Sequence, residues 1–584
     1  MGISTLLEVF GQILFYFTRG VTEHYNPEEP EFTTESFGYD PLQSTGREWY
    51  YHSVDELTYQ EYSDRQVTSS AFMASRSIHA RLINACLPDE NQETETDEDR
   101  AMAWKRLRPS FLRTACQSLY NGALISFLAA IIIGIIFLLI SYLCYKTTLD
   151  CVFYSKKLIA THVQWIRTIS DVVSVVFYYI WLFVNLLFLF RPYQLKGMKK
   201  KLLLVCFVAY CLDISYRVSL QFLATPYYLW PTKLIQVPMY IVFLVSVCWQ
   251  LYLVGMTFSM RSRTNLLTCT CKMIVPICLP FINGILICDY LYPFYIKQDV
   301  EGKLVIALFS PLTGVVVKTV SRICVQRLWN LTHPGYSYVL LAPMYLWYAM
   351  AFRVLQADLD DLLYIAVLGI IHGAAEVLER SVMVVIDHCC HMLWKRESSP
   401  WGSFRTPRRE RLMADIAIMS MLYESTAIVS VNGLIYLSQF VFIENSSLLK
   451  LLRSFAISTS VQLVIEWFFT SISLAIETRY QNMAVMAVWR RRWKRHISVA
   501  IINIVPIAVW NSSCLLVLLS ARFSPSLDRP CKLPFAWEFR KASRSCLRFR
   551  EKGKRGRRNK ENEIRSSIFL YIYTNIFYLL LNII

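Results

Sequence analysis

Apolar runs of roughly 20 residues, the length of a helix that crosses a bilayer, recur along most of this chain. They predict spans near 119–145, 171–190, 202–224, 234–260, 273–296, 304–321, 336–352, 362–387, 412–443, 454–476 and 497–520. The fold class expected is therefore all-α, a polytopic integral membrane protein of about 11 transmembrane helices. The run 304–321 is the weakest, because Pro311 and Lys318 interrupt it, and it reads either as a span or as a re-entrant half-helix.

The pattern differs at both ends. Ile3, Leu6, Phe10, Ile13, Leu14 and Phe17 share one helical face, so residues 1–20 read as an amphipathic helix on the membrane surface. Residues 21–103 hold 18 Asp/Glu against 5 Arg without apolar periodicity, and read as an acidic, disordered cytoplasmic tail able to recruit cytosolic partners. The membrane domain occupies 104–521. Residues 522–565, with 15 Lys/Arg against 5 Asp/Glu, read as a basic disordered segment. Residues 566–584 are apolar but carry Tyr571, Tyr573, Asn575 and Asn582, which suits an extra span or an incorrect gene-model end.

Composition agrees with the lipid bilayer as the main partner, at 55% hydrophobic and only 18% charged residues. The net charge of +17 is distributed between apolar runs and gives no reason to expect nucleic acid. Loops assigned to the inside carry 23 Lys/Arg and those assigned outside carry 10, which places the N-terminus in the cytoplasm of a plasma membrane or endomembrane protein. The 17 cysteines mostly sit inside apolar runs, as Cys206, Cys248 and Cys278 do, and behave there as small hydrophobes. Of three sequons, Asn445-Ser-Ser447 falls in an outer loop and is the glycosylation candidate. No P-loop, HExxH or GxSxG motif is present.

Within the runs, polar residues form stripes. His372, Glu376, Glu379 and Arg380 fall within one third of a helix circumference, Asp387 and His391 extend the stripe, and Gly369 and Gly373 beside it would let another helix approach closely. Asp213 and Arg217 are four apart in the third span, and Glu424 lies with Ser420 in the ninth. In the tenth, Thr459, Gln462, Glu466, Thr470, Ser473 and Glu477 share one face. Charges in membrane helices turn toward protein or water, so these stripes predict a polar interior lined by the third, eighth, ninth and tenth spans. The leading expectation is transport of a cation or small polar solute. Glu376, Glu379, Glu424 and Glu466 would bind it, and Arg217 and Arg380 would supply counter-charge. A receptor or scaffold, in which Glu376 and Arg380 pair across one turn and the charges only pack helices, is the first alternative.

The sequence Asp387-His-Cys-Cys-His391 matches no standard zinc module, and no metal or other cofactor is expected. His372-Gly373 within an apolar helix resembles the catalytic histidine region of membrane-bound O-acyltransferases. That resemblance implies a membrane-embedded enzyme using His372 as a further alternative. It covers two residues and lacks an accompanying Asn-containing motif, so no family is assigned. Between Glu376 and Glu379, the sequence favours Glu379 as the functional acid, because Arg380 pairs with Glu376 and leaves Glu379 facing Glu466.

Overall fold

The computed structural model describes residues 111–147 and, apart from short links, 161–523. The surface helix, the acidic tail, all but the first two residues of the basic segment, the apolar tail and the Asn445 sequon lie outside the described residues.

Every regular element among the described residues is helical. α1 (Phe111–Leu128) runs through a π-helical turn at Ala129–Ile133 into α2 (Gly134–Thr147). α3 (Thr161–Leu189), α4 (Lys199–Phe222), α5 (Thr232–Phe258) and α6 (Arg263–Leu286) follow. A second π-helical turn, Ile287–Leu291, and the short α7 (Tyr292–Ile296) lead to α8 (Val300–Gln326). A 3-10 turn, Ser337–Leu340, precedes α9 (Ala342–Ala357), and α10 (Leu362–Lys395), α11 (Pro407–Phe442), α12 (Leu448–Arg479) and α13 (Val485–Phe523) complete the described residues. Counting α1 and α2 as one, nine helices among the described residues are long and apolar enough to cross a membrane: α1–α2, α3, α4, α5, α6, α8, α10, α11 and α12.

Two of the eleven predicted spans fall outside that set, and the reasons differ. The stretch 336–352 becomes the 3-10 turn plus the sixteen-residue α9, and a helix of that length reaches only ~24 Å. The span 497–520 lies within α13, which is kinked at Arg492 and whose side chains are described only as far as Trp510, so the second half of this span lies outside the residues from which that set is drawn. The doubtful run 304–321 is a continuous helix in α8. Pro311 cannot donate to the Ala307 carbonyl, and Ser310 Oγ donates to that carbonyl instead at 3.2 Å, so the freed acceptor is satisfied locally.

α9 and α11 form the centre. α11 is buried on all sides from residue 412 to residue 435. α9 is apolar around nearly its whole circumference and buries Met344, Leu346, Tyr348, Met350 and Leu355, as an enclosed helix must. The other long helices surround this pair, each packing on the next in the order α1–α2, α12, α10, α8, α6, α5, α4, α3, α13 and back to α2. Partner residues set the directions. Lys318 and Arg322 of α8 meet Glu379 and Asp387 of α10 in the same order. Ile465 and Phe469 of α12 meet Gly369 and Gly373 of α10 likewise. α8, α10 and α12 are therefore parallel. α9 runs against them, with Phe352 facing Gly314 and Tyr345 facing Arg322. α11 also runs against them, with Glu424 near His372 and Ser420 on Glu376.

The surface inverts the usual polarity of a protein in water. Phe309, Leu312 and Val316 of α8 are 57%, 60% and 64% exposed, while Lys318 and Arg322 one turn on are 9% and 1% exposed. α4 likewise exposes Leu204 and Phe207 and buries Asp213. The helices present large apolar side chains outward and charges inward, as expected of a chain whose outer solvent is lipid.

The small residues of α10 do what their spacing predicts. A Cβ on Gly373 would lie 2.6 Å from Phe469 Cγ and 3.0 Å from Phe469 Cβ, and one on Gly369 would lie 3.1 Å from Gln356 Nε2. Gly373→Ala should thus force α10 and α12 apart, at a cost of about 1–3 kcal/mol, the range for overpacking a filled core. The check is a thermal melt of purified protein. An unchanged midpoint would mean that the Gly373 face is loosely packed.

Candidate functional site: a buried charge network between α8 and α12

The polar stripes of α8, α9, α10, α11 and α12 meet in one buried band that divides into two groups. In the first, Lys318 Nζ donates to Glu379 Oε2 at 3.0 Å. Arg322 binds Asp387 through Nε and Nη2, the shortest contact being 2.9 Å, and lies 4.0 Å from Glu379. Gln326 adds a 2.7 Å hydrogen bond to Asp387, and Tyr345 and Thr319 accept from Arg322. Two cations face two carboxylates, so this group is balanced.

The second group lies deeper along α10 and is not balanced. Arg353 of α9, 2% exposed, donates to Glu424 Oε2 through Nε and Nη2 at 3.3 and 3.0 Å, and its Nη2 also holds Glu466 Oε2. Its Nη1 donates to Gln356 at 2.9 Å, and Gln356 in turn donates to the Ile365 carbonyl at 2.7 Å. Arg380 makes a two-point contact with Glu477, both bonds at 2.8 Å. Glu376 accepts from Ser420 Oγ at 2.8 Å and lies 3.9 Å from Arg380 Nη1, beyond hydrogen-bond reach. Here Arg353 and Arg380 face Glu376, Glu424, Glu466 and Glu477. With every acid ionised, two carboxylates exceed the permanent cations. Glu376 has the weakest hold on a cation of the four.

The imbalance centres on three side chains. His372 Nε2 lies 3.7 Å from Glu424 Oε2, and ligand-capable atoms of His372, Glu376 and Glu424 fall within 4.8 Å of one another. The His372 ring is braced edge-on by Phe352 at 5.7 Å between centroids.

The predicted residues separate accordingly. His372, Glu376, Arg380, Glu424 and Glu466 come together, and the α12 stripe is buried throughout, including Thr459, Gln462, Thr470, Ser473 and Glu477. Two expectations are overturned and one is extended. Arg380 keeps a 3.9 Å ion pair with its helical neighbour Glu376 but makes its two-point contact with Glu477, because the parallel α12 brings a carboxylate into that geometry. Glu379 faces Lys318 of α8 rather than Glu466. Asp213 and Arg217 pair with each other at 3.2 Å on α4, whose neighbours are α3 and α5, so the third span does not line this interior.

Three partners escaped the sequence reading. Lys318 enters there as an interruption of the run 304–321, Arg322 and Arg353 directly follow predicted spans, and all three are buried at the centre of the network. The interruption of an apolar run by Lys318 was the available signal. Arg353 gave none, since it follows directly on a predicted span. A separate pair, Asp415 of α11 with His496 of α13 at 3.0 Å, sits under the stacked ring of Tyr338 and was also unread. At the far end of α10, Asp387 is occupied by Arg322 and Gln326, and burial together with the charge of Arg409 holds His388 below the ordinary imidazole range.

One cavity among the described residues, lined by Trp181, Asn185, Ile277, Val339 and Pro343, lies between α3, α6 and the start of α9, away from His372. Compared with family models, with curated proteins and with solved structures, the chain matches none.

Proposed function

We propose that this is an integral membrane protein of about 11 spans that moves a cation through the interior between α9, α10, α11 and α12. Membrane insertion is supported by the inverted polarity of α4 and α8 and by nine helices of sufficient length and apolarity among the described residues. The N-terminal side is cytoplasmic by the loop-charge bias. Lys318, Arg322 and Arg353, now assigned to ion pairs, are discounted from that bias without removing it.

The observation that carries transport is the excess of two carboxylates in the deeper group. An uncompensated charge in a low-dielectric interior is costly, so this group favours occupation by positive charge. A site that only packed helices would gain nothing from the excess. Glu376, hydrogen-bonded by a single hydroxyl and 3.9 Å from its nearest guanidinium, is the group able to exchange partners. Close pairing of Lys318, Arg322, Arg353 and Arg380 favours a second reading, a receptor or scaffold whose network is purely structural.

The test uses the full chain reconstituted in liposomes, with charge movement recorded on concentration jumps of Na⁺, K⁺, Ca²⁺ and Zn²⁺. Transport predicts a current with at least one of these, reduced tenfold or more by Glu376→Gln. Silence toward all four would overturn transport and leave the scaffold reading.

A further inference from the structure

We propose that His372, Glu376 and Glu424 form the binding site for a first-row divalent transition-metal ion, the cargo class of the transport reading on which this inference rests. Three observations converge.

The first is the donor set. An imidazole with two carboxylates suits zinc and its first-row neighbours, whereas calcium, magnesium and the alkali ions take all-oxygen shells. The three donors come from facing helices, His372 and Glu376 one turn apart on α10 and Glu424 on the antiparallel α11. Three protein ligands leave a fourth position open, as in sites that exchange a ligand rather than hold the metal as a closed structural centre.

The second is the distances. Ligand atoms around a tetrahedral ion with bonds of ~2.0–2.1 Å stand roughly 3.3–3.5 Å apart. Here they lie within 4.8 Å, with His372 Nε2 to Glu424 Oε2 at 3.7 Å. That is too long for a hydrogen bond and close to the spacing of two ligands on one ion. Among the described residues, His372 Nε2 is shielded from solvent and meets no closer polar partner than Glu424. Arg380, 5% exposed, also has an Nη1 without a hydrogen-bond partner among the described residues, lying 3.9 Å from Glu376. A donor there suits a water in the open position.

The third is charge. The deeper group carries two carboxylates beyond its guanidiniums. A divalent ion neutralises that excess, while a monovalent ion leaves one negative charge buried. Ser420 donates to Glu376 Oε1, and Arg353 donates to Glu424 Oε2, the oxygen that also faces His372, so hydrogen bonds fix the orientation of both carboxylates.

Metal-stripped full chain in detergent is titrated with Co²⁺, whose visible absorption reports nitrogen and oxygen ligation in a low-coordinate site. One equivalent per chain should develop the band, and Zn²⁺ should displace it while Ca²⁺ at the same concentration does not. His372→Gln and Glu376→Gln should each weaken binding tenfold or more, and Asp299→Asn at the exposed start of α8 should not. Size-exclusion profiles identify variants that fail to fold, and those are replaced by His372→Asn or Glu376→Ala. Absence of a saturable band, or a band that survives both substitutions together, overturns the site. Co²⁺ binding without any current in liposomes sustains the site and removes transport. A Na⁺ or K⁺ current without Co²⁺ binding sustains transport and removes the metal.

Discussion

Arg353→Gln should leave almost no monodisperse protein. Arg353 is the sole guanidinium touching Glu424 and Glu466 among the described residues, and it also holds Gln356, the side chain that ties α9 to the start of α10. Its loss raises the uncompensated charge of the deeper group from two to three. Removing one partner of a buried pair costs about 3–5 kcal/mol, comparable to the entire stability of many domains. Two carboxylates lose their partner here. Arg353→Lys should restore little, because one ammonium cannot reproduce the planar fork that reaches Glu424, Glu466 and Gln356 together. Arg353→Gln with Glu466→Gln should recover part of the yield by lowering the charge again. Yield and elution profile by size exclusion, followed by thermal midpoints, decide this. A well-folded Arg353→Gln protein would show that water or a counter-ion already compensates Glu424 and Glu466.

Glu379→Gln should lower stability, and Glu376→Gln should not. This reverses the roles expected from helical spacing alone. Glu379 is the carboxylate bonded to Lys318, which is 9% exposed. Neutralising Glu379 leaves an ammonium buried between α8 and α10, again at about 3–5 kcal/mol. Lys318→Gln with Glu379→Gln removes both charges and should regain much of that loss, giving a coupling energy that a double-mutant cycle can measure. Glu376→Gln keeps an acceptor for Ser420 and reduces the excess negative charge, so its yield should match the parent protein. The effect of Glu376→Gln belongs in the current and in Co²⁺ binding. If Glu376→Gln proves the misfolded variant while Glu379→Gln is stable, the assignment of balanced and unbalanced groups is wrong.

Local pattern was enough for the helices themselves and for the faces they bury. The six polar residues of the α12 stripe point inward as a unit because helical periodicity places them there whatever surrounds the helix. Gly369 and Gly373 meet α12 and Gln356 for the same reason, since a face without side chains is where a neighbour comes closest. Partner choice could not be read this way. Glu376 and Arg380 have pairing geometry on an isolated helix, yet the parallel packing of α10 on α12 offers Arg380 a two-point carboxylate in Glu477. Lys318 and Arg322 sit in a run that the sequence places at a boundary, and only the alignment of α8 with α10 turns them into partners of Glu379 and Asp387. Arg353 follows a predicted span as an ordinary flanking cation would. Its role depends on α9 being enclosed by α11, α10 and α8, so that the end of a short helix lies inside the protein. The amino-acid pattern thus determined which residues must turn away from the outer, apolar face of each helix. Tertiary packing decided which charges meet and which two remain in excess, because pairing energy depends on distances between helices that no single-helix period contains.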